Sequence, residues 1–290
     1  MHFTRRQFAA LAAVVFLPGI PRAADEENAL FWRAKSPAHD HVLFGYVRIR
    51  ADAFPDIVTE GKRLIDQSKT VLIDVNPSLI LSTTKFKNSD ITPVLSGLTP
   101  SGQDEFKTIL STSPAKGAIA KLSGFEASLL LIGEGQHAFA PDAPSIGLAL
   151  AKYGASIGRD VETLAADGEM QAMQKPLTLE TVNSVGPASI IYLLELRRRI
   201  GPIGAYFDER YKARKSGEIA SLGEEITARG IVTPTDLIDA DKLRALLIER
   251  ITNLPAGTNA FVILPIGLLN GPYSILSELR SRGAEVSAIG

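Results

Sequence analysis

Apolar positions follow two different patterns along this chain. Near both ends they form short continuous or alternating runs bounded by turn residues, which is typical of β-strands. In the middle they recur at helical spacing, above all over residues 178–254, where Pro187 and Pro202 divide the pattern. The predicted strands are residues 30–35, 42–49, 71–75, 161–164, 261–264 and 285–289. The pattern predicts an α/β fold, with a central mixed sheet built from strands at both chain ends and a large helical middle segment.

The chain is predicted to fold as a single domain over residues 25–290. Its 290 residues allow one large domain or two small ones, but no change in composition separates two parts. Hydrophobic residues make up 45% of the chain, which is enough for a substantial core. Because the chain has no cysteine, this core has to hold the fold without disulfides.

Residues 1–24 are predicted to be a twin-arginine signal peptide. Arg5 and Arg6 precede an alanine-rich apolar run over residues 9–17, and cleavage is expected at the end of the segment. The apolar run is much shorter than the about 20 residues that a membrane-spanning helix needs. We therefore expect a periplasmic or secreted protein with no transmembrane span in its mature chain. An uncleaved, anchored form is the alternative.

The charge of the chain argues against a nucleic-acid partner. The formal net charge is −1, whereas proteins that bind nucleic acids neutralise phosphates with clustered Lys and Arg. Removal of the signal peptide takes away three arginines, so the mature chain is more acidic than the full chain. The arginine run at residues 197–199 ends an apolar helical pattern, where positive charge complements the helix dipole.

Several segments follow one another in the order and spacing of a known family. They read Leu30-Phe-Trp-Arg33, Leu43-Phe-Gly-Tyr-Val-Arg48, Val71-Leu-Ile-Asp74-Val-Asn76 and Leu264-Pro-Ile-Gly-Leu-Leu-Asn-Gly271. They resemble the aromatic-Trp-Arg strand, the Leu-Phe-Gly-Thr-x-His and Glu-Val-Asp strand ends, and the Val-Gly-x-Gly-His-Leu-x-Gly turn of the TraB/GumN family. That family includes PrgY-like proteins and Tiki-like metalloproteases. The resemblance covers most of the chain from residue 30 onward, and it implies a site built where strands end.

The positions that carry the family's chemistry are substituted, so the chain resembles a degenerate member. Arg48 and Leu268 stand where the family has histidines, and Asp74 stands for its strand-end glutamate. The family's central acidic positions fall on Gly147 and Ala165. Arginine only donates hydrogen bonds and leucine offers no lone pair, so neither can bind a divalent metal. The resemblance leaves a remnant pocket without catalytic residues or metal, made of Gly45, Arg48, Asp74, Gly267 and Leu268.

These substitutions predict a non-catalytic binding or regulatory module, a pseudoenzyme, with no cofactor. The expected partner is an envelope protein or an anionic ligand. Arg48 then has two interpretations: it forms a structural pair with Asp52 or Asp74, or it binds a carboxylate or phosphate group.

The alternative is a divergent metal-dependent protease or hydrolase whose ligands have moved. Its ligand set is His41 and Asp74 with Glu134 or His137, and a divalent metal is expected only in this case. The weak metal candidates are His39, His41 and His137. His39 and His41 share one face of a strand, while the residue between them faces away.

Two further motifs do not support an enzyme class. Gly154-Ala-Ser156-Ile-Gly158 matches a nucleophile elbow, but all histidines precede Ser156 and the preceding residues are predicted to be helical. Ser156 is therefore interpreted as a helix-end serine. Gly133-Glu-Gly135 is only half of a dinucleotide-binding motif.

Overall fold

A computed structural model describes residues 28–75, 90–113, 116–138, 143–271 and 273–289 of the chain. The predicted signal peptide, residues 1–24, and the first residues of the predicted domain lie outside these ranges. So does Asn76, the last residue of the third family motif. Within the described ranges, no helix combines the length and the apolar character needed to cross a membrane.

The described strands form one mixed sheet. They are β1 (Phe31–Lys35), β2 (Asp40–Tyr46), β3 (Thr70–Ile73), β4 (Asp160–Thr163), β5 (Ala260–Pro265) and β6 (Glu285–Ile289), in the order β4-β3-β5-β2-β1-β6. β2, β5, β3 and β4 run parallel, whereas β1 is antiparallel to both of its neighbours. β5, from the C-terminal part, lies between β2 and β3 from the N-terminal part. The predicted sheet that joins both chain ends is confirmed.

Most helices lie between β3 and β5, as the predicted helical middle requires. The described α-helices are α1 (Pro55–Asp66), α2 (Pro100–Leu110), α3 (Gly124–Ile132), α4 (Ile146–Ser156), α5 (Asp167–Met173), α6 (Leu179–Ser184), α7 (Pro187–Ile200), α8 (Ile203–Lys212), α9 (Ser216–Ala228), α10 (Ala240–Thr252), α11 (Ile266–Leu269) and α12 (Ile275–Ser281). Proline occupies the first turn of α7, where its missing N–H costs no hydrogen bond.

The two faces of the sheet carry separate apolar clusters because side chains alternate along each strand. One cluster includes Trp32, Leu43, Leu72 and Val262 and packs against α10 and α12. The other includes Phe31, Phe44, Val71 and Phe261 and packs against α1 and α4. A third cluster holds the helices of the middle segment together through α2, α3, α7 and α9.

The end of β2 differs from the prediction. The sequence predicts a strand over residues 42–49, but sheet pairing stops at Tyr46. The following residues leave the sheet and pair elsewhere: Ile49 forms a bridge with Ala138, and the Arg50 N–H donates to the carbonyl of His137 at 2.8 Å. These partners are far away in the sequence, so the local pattern could not show the change. Arg48 therefore lies beyond the edge of the sheet.

Candidate functional site

The remnant pocket residues lie at the carboxyl edge of the parallel strands. β2 and β5 are neighbours, with Gly45 opposite Leu264, and β5 is also paired with β3. After β2 the chain enters α1 on one face of the sheet, whereas after β5 it enters α11 and then α12, which packs on the other face. Neighbouring strands whose connections leave in this way form a crevice at their carboxyl ends, where α/β proteins commonly bind ligands.

Asp74 and Tyr46 form a buried pair at this edge. Tyr46 Oη donates a hydrogen bond to Asp74 Oδ2 at 3.1 Å and lies 3.3 Å from Oδ1. Only 3% of Asp74 and 8% of Tyr46 is exposed to solvent. Burial raises the pKa of Asp74 to about 7, against the opposing effects of the Val75 N–H, Tyr46 and the charge of Arg48. Burial also raises the pKa of Tyr46, so its hydroxyl stays protonated and can donate.

Arg48 lies exposed above this pair. Its charge opposes the rise in the pKa of both Tyr46 and Asp74, which places it near the two groups. Of the two structural partners that the sequence suggested, Asp52 is wrong, because Asp52 pairs with Arg50 at 2.5 Å. Asp74 receives its side-chain hydrogen bond from Tyr46, while Arg48 acts on it through charge. The guanidinium remains accessible from solvent.

The other three remnant pocket residues, Gly45, Leu268 and Gly267, contribute no polar group to the site. A Cβ on Gly45 would lie 3.1–3.2 Å from Leu269, Ile266 and Trp32, so glycine allows these side chains to pack at the strand end. Leu268 is half-buried and packs against the apolar cluster under α10 and α12. Gly267 is exposed, and a Cβ there would meet nothing within 4 Å. Among the five remnant pocket residues, only Arg48 and Asp74 bring polar side chains to this edge.

Two further positions that the family resemblance marks lie around the same pair. Gly147, near the start of α4, faces Tyr46: a Cβ there would lie 3.4 Å from its ring. Ala165, just after β4, donates its backbone N–H to the carbonyl of Asp74 at 2.9 Å. Neither residue has a side chain that could bind a metal. The substituted family positions thus lie together at the carboxyl edge, but these two contribute no metal-binding group.

Tyr46 is the residue of this site that sequence analysis missed. It ends a strand of apolar residues, and a buried tyrosine there is indistinguishable from an ordinary core aromatic residue. One feature of the sequence could have identified Tyr46: it lies between Gly45 and Arg48, at the position where the family pattern has threonine. Only the pairing of β2 with β5, and of β5 with β3, brings its hydroxyl to Asp74.

His41 lies at the amino end of β2 and His39 just before it, whereas Asp74 follows the carboxyl end of the parallel strand β3. Their rings stack with centroids 5.1 Å apart. His41 is buried, and its Nδ1 accepts the Ala260 N–H at 3.3 Å, which places the proton of the neutral ring on Nε2. Burial lowers the pKa of His41 to about 4. With one ring nitrogen accepting a hydrogen bond and the other protonated, His41 has no lone pair for a metal.

His137 and Glu134 are each held by a different partner. Asp208 Oδ2 accepts from the backbone N–H of His137 at 2.6 Å and contacts its Nδ1 at 2.8 Å. Glu134 forms a two-point ion pair with Arg197 at 2.6 and 2.8 Å. The relocated ligand set is therefore not assembled. Across the ranges that the structure describes, no group of three or more His, Cys, Asp or Glu side chains is placed to hold a metal ion.

A surface groove of about 590 Å³ lies between α1 and α4. Lys62, Lys152 and Tyr153 line it, and the Tyr153 hydroxyl donates to Asp66 at 2.7 Å. Ser156, also in its wall, ends α4 and donates its hydroxyl to the Tyr153 carbonyl at 2.7 Å. The interpretation of Ser156 as a helix-end serine is confirmed, and the groove has no assembled acid–base pair.

Comparison with known proteins gives no relative for the chain. No protein-family model matches it, no curated protein matches it significantly, and no solved structure does. The TraB/GumN resemblance therefore stays a prediction that rests on the motifs and their spacing.

Proposed function

We propose that this chain is an exported, TraB/GumN-like protein that has lost the family's metal site. It uses the carboxyl edge of its sheet as a non-catalytic binding or regulatory module. The position of Arg48 carries the proposal: an exposed guanidinium stands over the buried Tyr46–Asp74 pair, at the point where the resemblance expects a metal-binding histidine.

A guanidinium at this point selects for anionic groups. It carries a fixed positive charge and a planar set of N–H donors that matches a carboxylate or phosphate, and it repels a metal cation. Asp74 cannot replace it as the contact group, because its carboxyl is buried under Tyr46. The bound group is therefore an anion, carried by a small ligand or by an acidic side chain of an envelope protein.

Sulfate is a suitable first probe for this site. We expect titration with sulfate, followed by NMR, to shift the resonances of Arg48 and its neighbours in a saturable way. Arg48→Gln should abolish the shift. Arg50→Gln is the matched control, because Arg50 lies two residues away on the same segment but is paired with Asp52. Equal loss in both variants, or no saturable shift in the wild type, contradicts the proposed site.

Metal content tests the non-catalytic part of the proposal. Protein purified without chelators should contain no stoichiometric zinc, manganese or cobalt by elemental mass spectrometry, and it should show no peptidase activity. Stoichiometric metal together with chelator-sensitive cleavage of a peptide would overturn it.

Export is a separate part of the proposal and needs its own test. A twin-arginine signal depends on its arginine pair. The double variant Arg5→Lys, Arg6→Lys should retain the protein in the cytoplasm, whereas the wild type is recovered from the periplasm or the medium. The same distribution for both proteins would contradict this route.

A metal-dependent hydrolase remains the second candidate, and one observation favours it. A metal-binding histidine commonly donates its other ring N–H to a carboxylate, as His137 is placed to do with the buried Asp208. In this case His137→Ala should lower both metal content and activity. If neither changes, this candidate loses its only structural support among the described residues.

A further inference from the structure

The strand β4 (Asp160–Thr163) forms an open edge of the sheet. It pairs with β3 on one side, and no described strand lies on its other side. All four of its residues are exposed, and their side chains alternate between the two faces of the sheet. An edge of this kind presents unpaired backbone N–H and C=O groups, to which an extended segment of another chain can add by hydrogen bonding.

The free backbone groups of this edge belong to Val161 and Thr163. The N–H of Leu164, directly after the strand, donates to the carbonyl of Ile73 in β3 at 2.8 Å. Because backbone groups alternate between the two sides of a strand, Glu162 also faces β3, whereas the N–H and C=O groups of Val161 and Thr163 point outward. The edge therefore offers donors and acceptors at every second residue.

The side chains on the two faces of this edge differ in chemistry. Val161 is paired with Val71 and Glu162 with Leu72, and these two residues of β3 belong to the apolar clusters on opposite faces of the sheet. Asp160 shares the face of Glu162, on the side of α10 and α12. In the part of the chain that the structure describes, neither carboxylate forms an ion pair. This face of the edge therefore carries negative charge that can attract a partner.

Apolar surface remains on the side of α1 and α4. Val161 is 37% exposed there, and Ile157, directly after α4, is 39% exposed. Arg159, the residue before β4, donates from its guanidinium to the Asp66 carbonyl at the end of α1, at 2.8 Å. An added strand thus meets apolar side chains on one face and carboxylates on the other.

These features select one kind of occupant. Side chains directly opposite each other on neighbouring strands share a face and interact. The matching segment therefore carries Lys or Arg at every second position, opposite Asp160 and Glu162, and apolar residues between them, beside Val161. A second copy of this chain does not fit, because antiparallel pairing about a two-fold axis perpendicular to the sheet places the carboxylates of both copies on one face, where like charges repel.

We infer that β4 is a docking edge, which binds an extended segment of a partner protein by strand addition. The segment has basic and apolar residues in alternation. Backbone hydrogen bonds supply the affinity, and the carboxylates of Asp160 and Glu162 select the partner by charge. The surface uses neither Arg48 nor Asp74, so this inference goes beyond the proposed function and does not depend on it.

The first test uses the peptide acetyl-Lys-Val-Lys-Val-Lys-Val-amide as a probe. It is titrated into the folded protein at low salt, where exposed charges are least screened, and followed by NMR. We expect saturable shifts of the backbone amides of β4. The double variant Asp160→Lys, Glu162→Lys should weaken binding by about tenfold or more, because attraction becomes repulsion at both positions. The matched control is Asp104→Lys, Glu209→Lys, which makes the same change of charge at exposed residues of α2 and α8 and should bind as the wild type does.

A proline tests strand addition separately from charge. Val161→Pro removes an outward N–H, which an edge strand tolerates because that group faces solvent. We expect this variant to lose peptide binding, whereas Val161→Thr, which keeps the N–H and the branched shape, should bind as the wild type does. Thermal unfolding of each variant checks that it is folded, and if Val161→Pro is not, the charge-reversal pair decides.

Several results would overturn the inference. The absence of saturable binding to the wild type removes the docking edge. Equal weakening in both charge-reversal variants shows attraction by net charge alone. Unchanged binding to folded Val161→Pro shows that the peptide does not add as a strand. Self-association of the wild type that Val161→Pro abolishes, measured by analytical ultracentrifugation, assigns the edge to a second copy of this chain instead.

Discussion

The hydroxyl of Tyr46 donates to Oδ2 of Asp74 at 3.1 Å, joining the end of one strand to the residue after another. β5 separates the two strands in the sheet, so the contact spans the carboxyl end of β5. Both side chains are buried, and an unpaired buried carboxylate would be costly. The pair thus fixes the base of the crevice over which Arg48 lies.

Replacing Asp74 by Asn should stabilise the protein at high pH. The pKa of Asp74 is raised from 3.8 to about 7 in the folded chain. The stabilisation that this raised pKa gives is complete below about pH 4 and is lost as the pH rises through about 7. Asp74→Asn avoids the buried charge and keeps an acceptor for Tyr46. We expect the two proteins to be similar near pH 4 and the variant to be more stable by up to about 4 kcal/mol above pH 8.

Urea denaturation at the two pH values measures this difference. If Asp74→Asn changes stability by the same amount at both values, the pKa of Asp74 is not raised in the folded state.

Replacing Tyr46 by Phe should destabilise the protein by about 1–3 kcal/mol, and more above pH 7 than below pH 5. The reason is that ionised Asp74 loses its side-chain donor, which matters less when the carboxyl is neutral. Tyr211→Phe is the matched control: the Tyr211 hydroxyl donates to the neutral Gly45 carbonyl at 3.0 Å, so its loss should not depend on pH. Denaturant unfolding of both variants tests this. Identical pH profiles would show that Tyr46 does not support a charge.

His41 should make the protein sensitive to acid. Burial lowers its pKa from 6.5 to about 4, so the unfolded chain binds this proton at a higher pH than the folded chain. The folded state therefore loses stability as the pH falls from above 6.5 to below 4, by up to about 3 kcal/mol from this group. In His41→Asn an amide oxygen can accept the Ala260 N–H without titrating, so this loss should be absent. Parallel pH profiles of the wild type and the variant would contradict the expectation.

Two glycines of the remnant pocket should respond differently to alanine. At Gly45 the new Cβ would press on Leu269, Ile266 and Trp32, so Gly45→Ala should destabilise the protein by about 1–3 kcal/mol. At Gly267 the Cβ would meet nothing within 4 Å, and Gly267→Ala should change stability by less than about 0.5 kcal/mol. Thermal unfolding of both variants compares them. A large loss at Gly267 would indicate that α11 is more constrained at this position than its contacts show.

Much of the fold was predictable because each element carries its own periodicity. The alternating or apolar runs that form β2, β3 and β5 are long enough to distinguish strands from helices. The predicted closing strand at residues 285–289 is confirmed as β6. The predicted end of β2 was wrong, because the apolar–polar alternation of Ile49 and Arg50 fits a strand locally. Their hydrogen-bond partners lie around residues 137–146.

The candidate site was only partly predictable. The sequence pointed to Arg48 and Asp74 through their positions at strand ends. It also suggested that Asp52 pairs with Arg48, whereas Asp52 pairs with Arg50. It also could not show that His41 would be buried at the far edge or that Asp208 would hold His137. Such pairs join residues that are distant along the chain, and no local pattern records them.

The sequence by itself determined the class of fold and the kinds of side chain available at each strand end, since periodicity and residue chemistry are local properties. The tertiary structure alone decided which of these side chains meet. The insertion of β5 between β2 and β3 brings Tyr46, Arg48 and Asp74 to one edge, and burial there gives an ordinary aspartate a pKa of about 7. Desolvation and long-range pairing depend on the packed whole, and so they appear only when the chain is folded.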